Sequence, residues 1–136
     1  MGDMTPNFSR IEFMCQCGCG SDNISEGLVE RLQLMRNSVG PMAVTSGIRC
    51  QAHNAAVGGV DISAHVPADL GDSEGEVGHA VDISVVSSSR RFKLYDAARE
   101  AGLRRIGTGR NFLHLDTDNR KPDEVLFDYY SSDHVA

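Results

Sequence analysis

Residues 45–65 read TSGIRCQAHNAAVGGVDISAH, and residues 78–84 read GHAVDIS. These two segments hold three of the chain's five histidines, together with Asp82 inside an apolar run. A third segment, residues 111–116, reads NFLHLD and adds one more histidine beside a second aspartate. Polar groups inside apolar, strand-like sequence are costly to bury unless they have partners. We therefore expect the fold to bring these three segments together.

Apolar periodicity around these segments predicts helices and short strands in succession. Leu28, Leu32 and Met35 repeat at helical spacing after Ser25, a residue type suited to capping a helix. Residues 79–84 instead alternate with the period of a strand. The predicted elements are helices over residues 25–39, 51–57 and 88–101 and strands over residues 42–45, 79–84, 103–106, 112–116 and 125–129. Their order predicts an α+β domain.

Length and composition indicate one globular domain. The 136 residues are 40% hydrophobic and 24% charged, which is ordinary for a globular protein. We expect a single domain over residues 1–136 that acts as a monomer, with loose termini at residues 1–10 and 131–136.

Charge and hydropathy argue against two classes of partner. The formal net charge of −6 argues against nucleic acid, because phosphate binding needs a basic face. No apolar run approaches the ~18 residues of a membrane span, so we expect no membrane insertion. Residues 1–13, MGDMTPNFSRIEF, lack the basic and then apolar pattern of a signal peptide. Without such a signal peptide, we expect the protein to be made and kept in the cytoplasm unless another agent releases it.

The four cysteines form an unusual pattern. Cys15, Cys17 and Cys19 alternate in the segment CQCGCG, and Cys50 is distant in sequence. A disulfide framework usually accompanies secretion, and an alternating CxCxC run is not the usual CxxC spacing of zinc knuckles. The sequence leaves three interpretations open: reduced cysteines that pack in the core, a second metal site, or disulfides.

The central histidines and aspartates indicate metal chemistry. On a strand, residues two apart share a face, so His114 and Asp116 project to the same side. An unpaired Asp82 between apolar neighbours would be costly to bury, and a metal ion would offset that cost. His65 follows a glycine-rich stretch whose backbone can bend towards the same site. Two imidazoles and a carboxylate suit catalytic zinc, which keeps its fourth position for water.

Six short motifs support this interpretation because they occur in a recognisable order. They are SGIR at residues 46–49, HN at 53–54, VGG at 57–59, SAH at 63–65, GHAVD at 78–82 and FLHLD at 112–116. In this order they resemble the zinc D-Ala-D-Ala carboxypeptidases and endopeptidases, which share a fold with the hedgehog signalling domain and the vancomycin-resistance dipeptidases. The resemblance spans residues 11–118, and EFMCQCGCG at residues 12–20 is similar to phage-borne members.

The resemblance implies a fold, a reaction and a set of site residues. The fold is α+β with a central antiparallel sheet and flanking helices, and the reaction is hydrolysis of peptide bonds in peptidoglycan stem peptides. It implies that His65, Asp82 and His114 bind one zinc ion. Arg49 matches an arginine expected to hold a substrate carboxylate or to stabilise the oxyanion, and a guanidinium suits either task. The small size and missing signal peptide suit a phage endolysin or virion lysin, delivered to the wall by a holin or by the virion.

The first departure from the family pattern concerns the metal ligands. Residues 66–81 separate His65 from Asp82, a longer gap than relatives usually have, so His79 competes as the partner of Asp82. Residues three apart on a strand face opposite ways, which disfavours His79. We therefore predict His65 as the ligand.

The second departure concerns the general base. Many relatives carry a carboxylate three residues before the last histidine, where this chain has Asn111, and an amide cannot accept a proton at neutral pH. Asp116 is the nearest substitute by sequence, and we predict it as catalytic, although it can instead orient a metal ligand. Glu74 and Glu76 are further candidates if their loop reaches the site.

Residues 69–76 form an acidic insert with four carboxylates. The insert is interpreted either as a solvated loop or as a calcium site, since flexible oxygen-rich loops suit that ion. It lacks the pattern of an EF-hand.

Two other functions compete with the peptidase. One is a non-catalytic, zinc-containing module that binds cell wall or a virion partner, which the loss of a carboxylate at Asn111 favours. The other is a structural virion component with incidental metal ligands. The sequence leaves open which stem-peptide bond would be cut.

Overall fold

Residues 2–129 are described in a computed structural model. The predicted helices and strands occur in the predicted order, and the structure adds a 3-10 helix and two short strands that were not predicted. A 3-10 helix over Arg10–Phe13 precedes the α-helices α1 (Glu26–Val39), α2 (Gln51–Ala56) and α3 (Ser88–Glu100). The strands are β1 (Val44–Ser46), β2 (Ala68–Asp69), β3 (Glu76–Val77), β4 (Ala80–Ser84), β5 (Arg105–Thr108), β6 (Phe112–Asp116) and β7 (Val125–Asp128).

Five of the strands form one sheet in the order β1-β4-β6-β5-β7, and β2 pairs with β3. The α+β prediction is confirmed, but the sheet is mixed because β5 and β7 are parallel. The path of residues 117–124 explains this. Strand β6 ends at Asp116, opposite Arg105 at the start of β5, and β7 begins beside the same Arg105. A strand that starts at that end of β5 can only run parallel to it.

One face of the sheet packs against helices α1 and α3. Ser25 caps α1 as predicted, accepting a hydrogen bond from the backbone of Leu28 at 3.2 Å. Strand residues alternate, so every second side chain of β4, β6 and β5 enters this core. The buried contributors from the sheet and the two helices are Leu28, Val29, Leu32, Met35, Val81, Ile83, Leu94, Ala97, Ala98, Ile106, Leu113 and Leu115.

The strand predicted over residues 103–106 starts two residues later, at Arg105. Gly102 has a φ of 89°, and its N–H bonds the carbonyl of Arg99, while the N–H of Leu103 bonds the carbonyl of Ala98 at 2.9 Å. These two bonds end α3 in a Schellman motif. The backbone of Leu103 therefore belongs to the C-terminal cap of α3, and β5 begins after it.

The segment predicted to be a loose start is held to the domain over residues 2–10. Phe8 is buried and its ring lies 6.0 Å from that of Phe13, while the N–H of Gly2 bonds the carbonyl of Pro6. Burial of the apolar Phe8 ring stabilises the packed position of this segment. The prediction for residues 131–136 lies outside the described residues. No helix within residues 2–129 is both long enough and apolar enough to cross a membrane.

Candidate metal centre

The second face of the sheet carries polar residues that strand register places side by side. Asp82 in β4 lies directly opposite His114 in β6, and Arg105 in β5 lies opposite Asp116. Directly paired residues point to the same face, as do residues two apart on one strand. Asp82, His114 and Asp116 therefore share a face, as the alternation of β6 predicts.

His65 reaches this face from the loop before β2, where the backbone and the ring are both held. The carbonyl of His65 accepts a hydrogen bond from the N–H of Arg49 at 3.0 Å. Its Nδ1 lies 2.6 Å from the carbonyl oxygen of Gly47, which can only accept. Nδ1 therefore carries the proton, and Nε2 presents a lone pair.

That lone pair points at a carboxylate. Nε2 of His65 lies 3.5 Å from Oδ1 of Asp82, and within residues 2–129 this buried nitrogen has no hydrogen-bond partner. Burial lowers the pKa of His65, which keeps the imidazole neutral. Burial opposes ionisation of Asp82, but its interactions with His114 and His65 outweigh burial and hold the pKa of that carboxyl below its usual range. A neutral imidazole and an ionised carboxylate thus face each other with no proton between them.

His114 links Asp82 to Asp116 through its two ring nitrogens. Nδ1 lies 2.9 Å from Oδ1 of Asp82, and Nε2 lies 2.6 Å from Oδ2 of Asp116. Burial disfavours the charged ring, but these two hydrogen bonds outweigh burial and raise the pKa of His114 to about 9. Nδ1 of His114 therefore faces Asp82, and Asp116 lies on the other side of the ring.

Asp116 is held in place by further contacts. Its Oδ1 accepts hydrogen bonds from Nε of Arg105 at 2.7 Å and from the N–H of Asp118 at 3.0 Å. Burial opposes ionisation of Asp116, but the bond with His114 and its other contacts outweigh it and lower the pKa of this carboxyl. The predicted role of Asp116 as proton acceptor conflicts with this geometry, since both oxygens are occupied away from Asp82. The alternative, orientation of His114, fits it.

The donor atoms fit a metal ion. Nε2 of His65, an oxygen of Asp82 and a nitrogen of His114 lie within 4.8 Å of one another. Zinc with two nitrogen ligands and one oxygen ligand holds them about 3.4 Å apart in a tetrahedral site, close to the 3.5 Å between His65 and Asp82. A cation here would give the orphaned lone pair of His65 a partner and neutralise Asp82.

Comparison with protein families indicates which metal a site of this kind would hold. A family model described as Peptidase M15 matches residues 6–116, most of the chain and all three candidate ligands. The chain belongs to the peptidase M15 family. M15 peptidases are zinc-dependent metallopeptidases, which agrees with the ligand set of this M15 chain. No significant match was found among curated proteins or among solved structures.

Arg49 of the M15 chain is almost fully buried, and its charge interacts with two of the candidate ligands, Asp82 and His65. Its Nη2 donates to the hydroxyl of Ser63 at 3.2 Å, and its Nε has no hydrogen-bond partner among the described residues. Burial lowers the pKa of Arg49, and the charge of nearby Asp82 opposes the shift. The guanidinium thus retains a donor for an oxygen that is not part of the protein.

Three other predicted candidates lie away from the ligands. His79 is buried, but its ring nitrogens contact the carbonyl of Ala68 at 3.3 Å and the hydroxyl of Thr117 at 3.4 Å. Glu74 accepts from the hydroxyl of Ser25 at 2.6 Å and from the N–H of Glu26, so it caps α1. Glu76 lines the same depression as Glu74, beside the start of α1.

The calcium interpretation of residues 69–76 is not supported. Oδ1 of Asp69 accepts from the N–H of Gly71, and Oδ1 of Asp72 accepts from the N–H of Glu74, both at 2.9 Å. Together with the capping role of Glu74, these bonds turn the carboxylates towards separate backbone groups. Within residues 2–129 the acidic insert contributes to neither group of side chains that can hold a metal ion.

Sequence reasoning missed the aromatic wall beside His114. The rings of Phe127 and Tyr129 lie 5.7 and 5.9 Å from the imidazole of His114. They fit there because Gly107, paired with both His114 and Phe127, has no side chain. Burial, with the charges of Asp82 and Asp116, raises the pKa of Tyr129 and keeps its hydroxyl protonated. A glycine inside a strand often marks a close approach of neighbouring groups, so Gly107 was the sequence signal for these rings.

Proposed function

We propose that this M15 chain is a zinc-dependent peptidase that hydrolyses peptide bonds in the stem peptides of peptidoglycan. The observation that carries the proposal is the unpartnered Nε2 of His65 facing ionised Asp82 beside His114, in a chain of a metallopeptidase family. The resemblance to D-Ala-D-Ala peptidases supports the choice of substrate, and with it the D,D- or L,D-specificity that such enzymes have.

Each residue of the site has a distinct task in this proposal. His65 would bind the metal through Nε2 and Asp82 through its carboxylate. His114 would bind it through Nδ1 after losing the proton that this nitrogen donates to Asp82. When bound, zinc supplies Lewis-acid chemistry, which polarises a carbonyl group and lowers the pKa of water to about 7. Asp116 orients His114 from the far side of the ring and increases its basicity, as carboxylates behind metal-bound histidines do.

Arg49 binds the substrate. Stem peptides carry free carboxylates, and an arginine with an unused donor in a buried setting binds such a group strongly. The same donor can instead stabilise the negative charge that develops on the carbonyl oxygen. Either role places the scissile bond between Arg49 and the three ligands.

The difficulty of assigning a proton acceptor is the reason that we keep a second candidate function. Asn111 is exposed and cannot accept a proton, and the carboxylates that contact His65 and His114 within residues 2–129 belong to Asp82 and Asp116. Both are engaged by the imidazoles themselves. This observation favours the alternative of a zinc-containing module that binds cell wall or a virion partner without cleaving it.

We place the peptidase in a phage lytic system, as an endolysin or virion lysin that acts as a monomer. It would be made in the cytoplasm and meet peptidoglycan only after release or delivery. The motifs at residues 12–20, which are similar to phage-borne members, support this setting.

The test is turnover of purified peptidoglycan by zinc-loaded protein, with the soluble products identified by mass spectrometry. We expect stem-peptide fragments or free D-alanine from the wild type, and neither from His114→Ala at matched concentration. The product identifies the bond. If zinc-loaded protein releases no fragment, the peptidase proposal is overturned. If that protein also sediments with peptidoglycan, the binding module is established instead.

A further inference from the structure

Four cysteines lie together at the junction between the N-terminal segment and α2. The Sγ atoms of Cys15 and Cys17 are 3.4 Å apart, and those of Cys17 and Cys50 are 3.6 Å apart. One sulfur atom from each of Cys15, Cys17, Cys19 and Cys50 lies within 4.8 Å of the others, and all four thiols are free. Zinc bound by four thiolates at about 2.3 Å holds their sulfurs about 3.8 Å apart. The cluster therefore has the dimensions of a tetrahedral zinc site with four cysteine ligands.

The local backbone explains how an alternating CxCxC run can reach one point. In an extended strand, alternate residues lie about 6.6 Å apart, too far for three thiols to meet at one ion. Gly18 and Gly20 have φ values of 86° and 83°, which bend the chain after Cys17 and after Cys19. Only glycine adopts this conformation without strain. The CxCxC spacing differs from that of a zinc knuckle, but these bends allow the three thiols to lie close together.

Backbone N–H groups also point at the sulfurs. The N–H of Cys50 donates to Sγ of Cys15, and the N–H of His53 donates to Sγ of Cys50, both at 3.4 Å. Donors to sulfur favour the thiolate over the thiol. The thiolate is also the form that binds metal.

We propose that Cys15, Cys17, Cys19 and Cys50 bind a second zinc ion with a structural role. Four protein ligands complete the tetrahedral coordination and leave no position for water, as in structural zinc sites. The site is separate from His65, Asp82 and His114, and the proposal does not depend on peptidase activity.

This zinc ties the N-terminal segment to the loop that serves the first site. Cys50 directly follows Arg49, and the N–H of Ile48 bonds the carbonyl of Phe13 at 2.8 Å. A Cβ at Gly47 would lie only 2.7 Å from Cα of Phe13, so the two segments are in close backbone contact. Gly47 in turn accepts from Nδ1 of His65. The second zinc therefore stabilises the backbone that sets the tautomer of His65 and the position of Arg49.

Zinc content per chain, measured by plasma mass spectrometry on reduced protein, tests the proposal. We expect two equivalents in the wild type and one each in Cys17→Ser, Cys19→Ser and His114→Ala. Cys17 and Cys19 are exposed, so serine at either position leaves the core intact. Gln16→Ala is the matched control: it removes a hydrogen bond from the same loop to the carbonyl of Thr45 but leaves all four thiols. It should retain two equivalents.

Cobalt substitution identifies the ligands without any assay of activity. Thiolate-to-cobalt charge-transfer absorption should appear in the wild type and in His114→Ala, and it should fall in Cys17→Ser. A wild type that holds one zinc, lost in His114→Ala but kept in Cys17→Ser, overturns the second site. So does a mass spectrum of freshly reduced and zinc-supplemented protein in which the four cysteines are paired as disulfides. Zinc lost in Cys17→Ser alone would establish this site and contradict the proposed peptidase.

Discussion

Nε2 of His65 and Oδ1 of Asp82 face each other across 3.5 Å inside the protein, and neither carries a proton. The tautomer of His65 is set from behind by the carbonyl of Gly47, 2.6 Å from Nδ1. A buried imidazole lone pair that faces a carboxylate oxygen is unfavourable unless a cation lies between them, because the lone pair loses its hydrogen bond to water. The arrangement is therefore the one expected of a metal site, which supports the proposed ligands.

Replacing a ligand should remove one zinc ion. We expect His65→Ala, Asp82→Ala and His114→Ala each to hold one equivalent fewer than the wild type, since two remaining donors bind zinc weakly. Zinc titration with a competing chelator gives the measurement. His79→Asn is the control, because His79 contacts Ala68 and Thr117 and not the ligands. Loss of zinc in His79→Asn with retention in His65→Ala would contradict the assignment.

Asp116→Asn should weaken zinc binding without abolishing it. Loss of the negative charge behind Nε2 of His114 should reduce zinc affinity by about 10- to 100-fold. It also leaves Arg105 without its buried partner, at a cost of about 3 kcal/mol in unfolding free energy. Zinc titration and urea unfolding measure the two effects. Lost turnover with unchanged zinc affinity would instead mean that Asp116 is the proton acceptor.

Arg49→Gln should lower kcat/KM on peptidoglycan fragments by about 10- to 100-fold, the value of a charged hydrogen bond of about 1.5–3 kcal/mol. Zinc content should stay unchanged, because Arg49 is not a ligand. Arg49→Lys keeps the charge but loses the planar fork, so it should recover part of the activity. Steady-state kinetics on the zinc-loaded variants separate these cases. Full activity in Arg49→Gln would reduce Arg49 to a structural role.

Gly107→Ala should displace the aromatic wall beside His114. An added Cβ would lie 2.5 Å from Phe127 and 2.7 Å from Tyr129, so at least one ring must move. We expect a loss of about 1–3 kcal/mol in unfolding free energy, as for overpacked sites. Gly27→Ala is the control, because a Cβ there meets other side chains only at ordinary contact distances of 3.5–3.7 Å, and alanine favours a helix. Equal stability of the two variants would contradict the packing argument.

Glu74→Ala should destabilise α1 and leave the metal centre unchanged. Glu74 accepts hydrogen bonds from Ser25 and Glu26 at the first turn, and loss of such a cap costs about 1 kcal/mol. Thermal unfolding measures the loss, with exposed Glu76→Ala as the comparison. Added calcium should raise the melting temperature of neither the wild type nor Glu74→Ala. A calcium-dependent rise abolished by Glu74→Ala would restore the calcium interpretation of the insert.

Residue patterns with local causes were predictable. Ser25 and the apolar repeat of Leu28, Leu32 and Met35 specify α1, because capping and helical spacing act within a few residues. The alternation of β6 likewise placed His114 and Asp116 on one face. The direction of β7 was not predictable in this way, because it depends on how residues 117–124 pass the end of β5.

The sequence by itself determined the three α-helices and five of the seven strands in the described residues, because these follow from periodicity and residue type. The resemblance of its motifs supplied His65, Asp82 and His114 as candidate metal ligands. Only the tertiary structure decided what each side chain does. It assigned Asp116 to the far side of His114, Glu74 to the cap of α1, and Tyr129 to the wall over Gly107. It also brought Cys50 to the other three cysteines. These outcomes depend on contacts between residues distant in the chain, and no local pattern specifies the distances and directions on which such contacts depend.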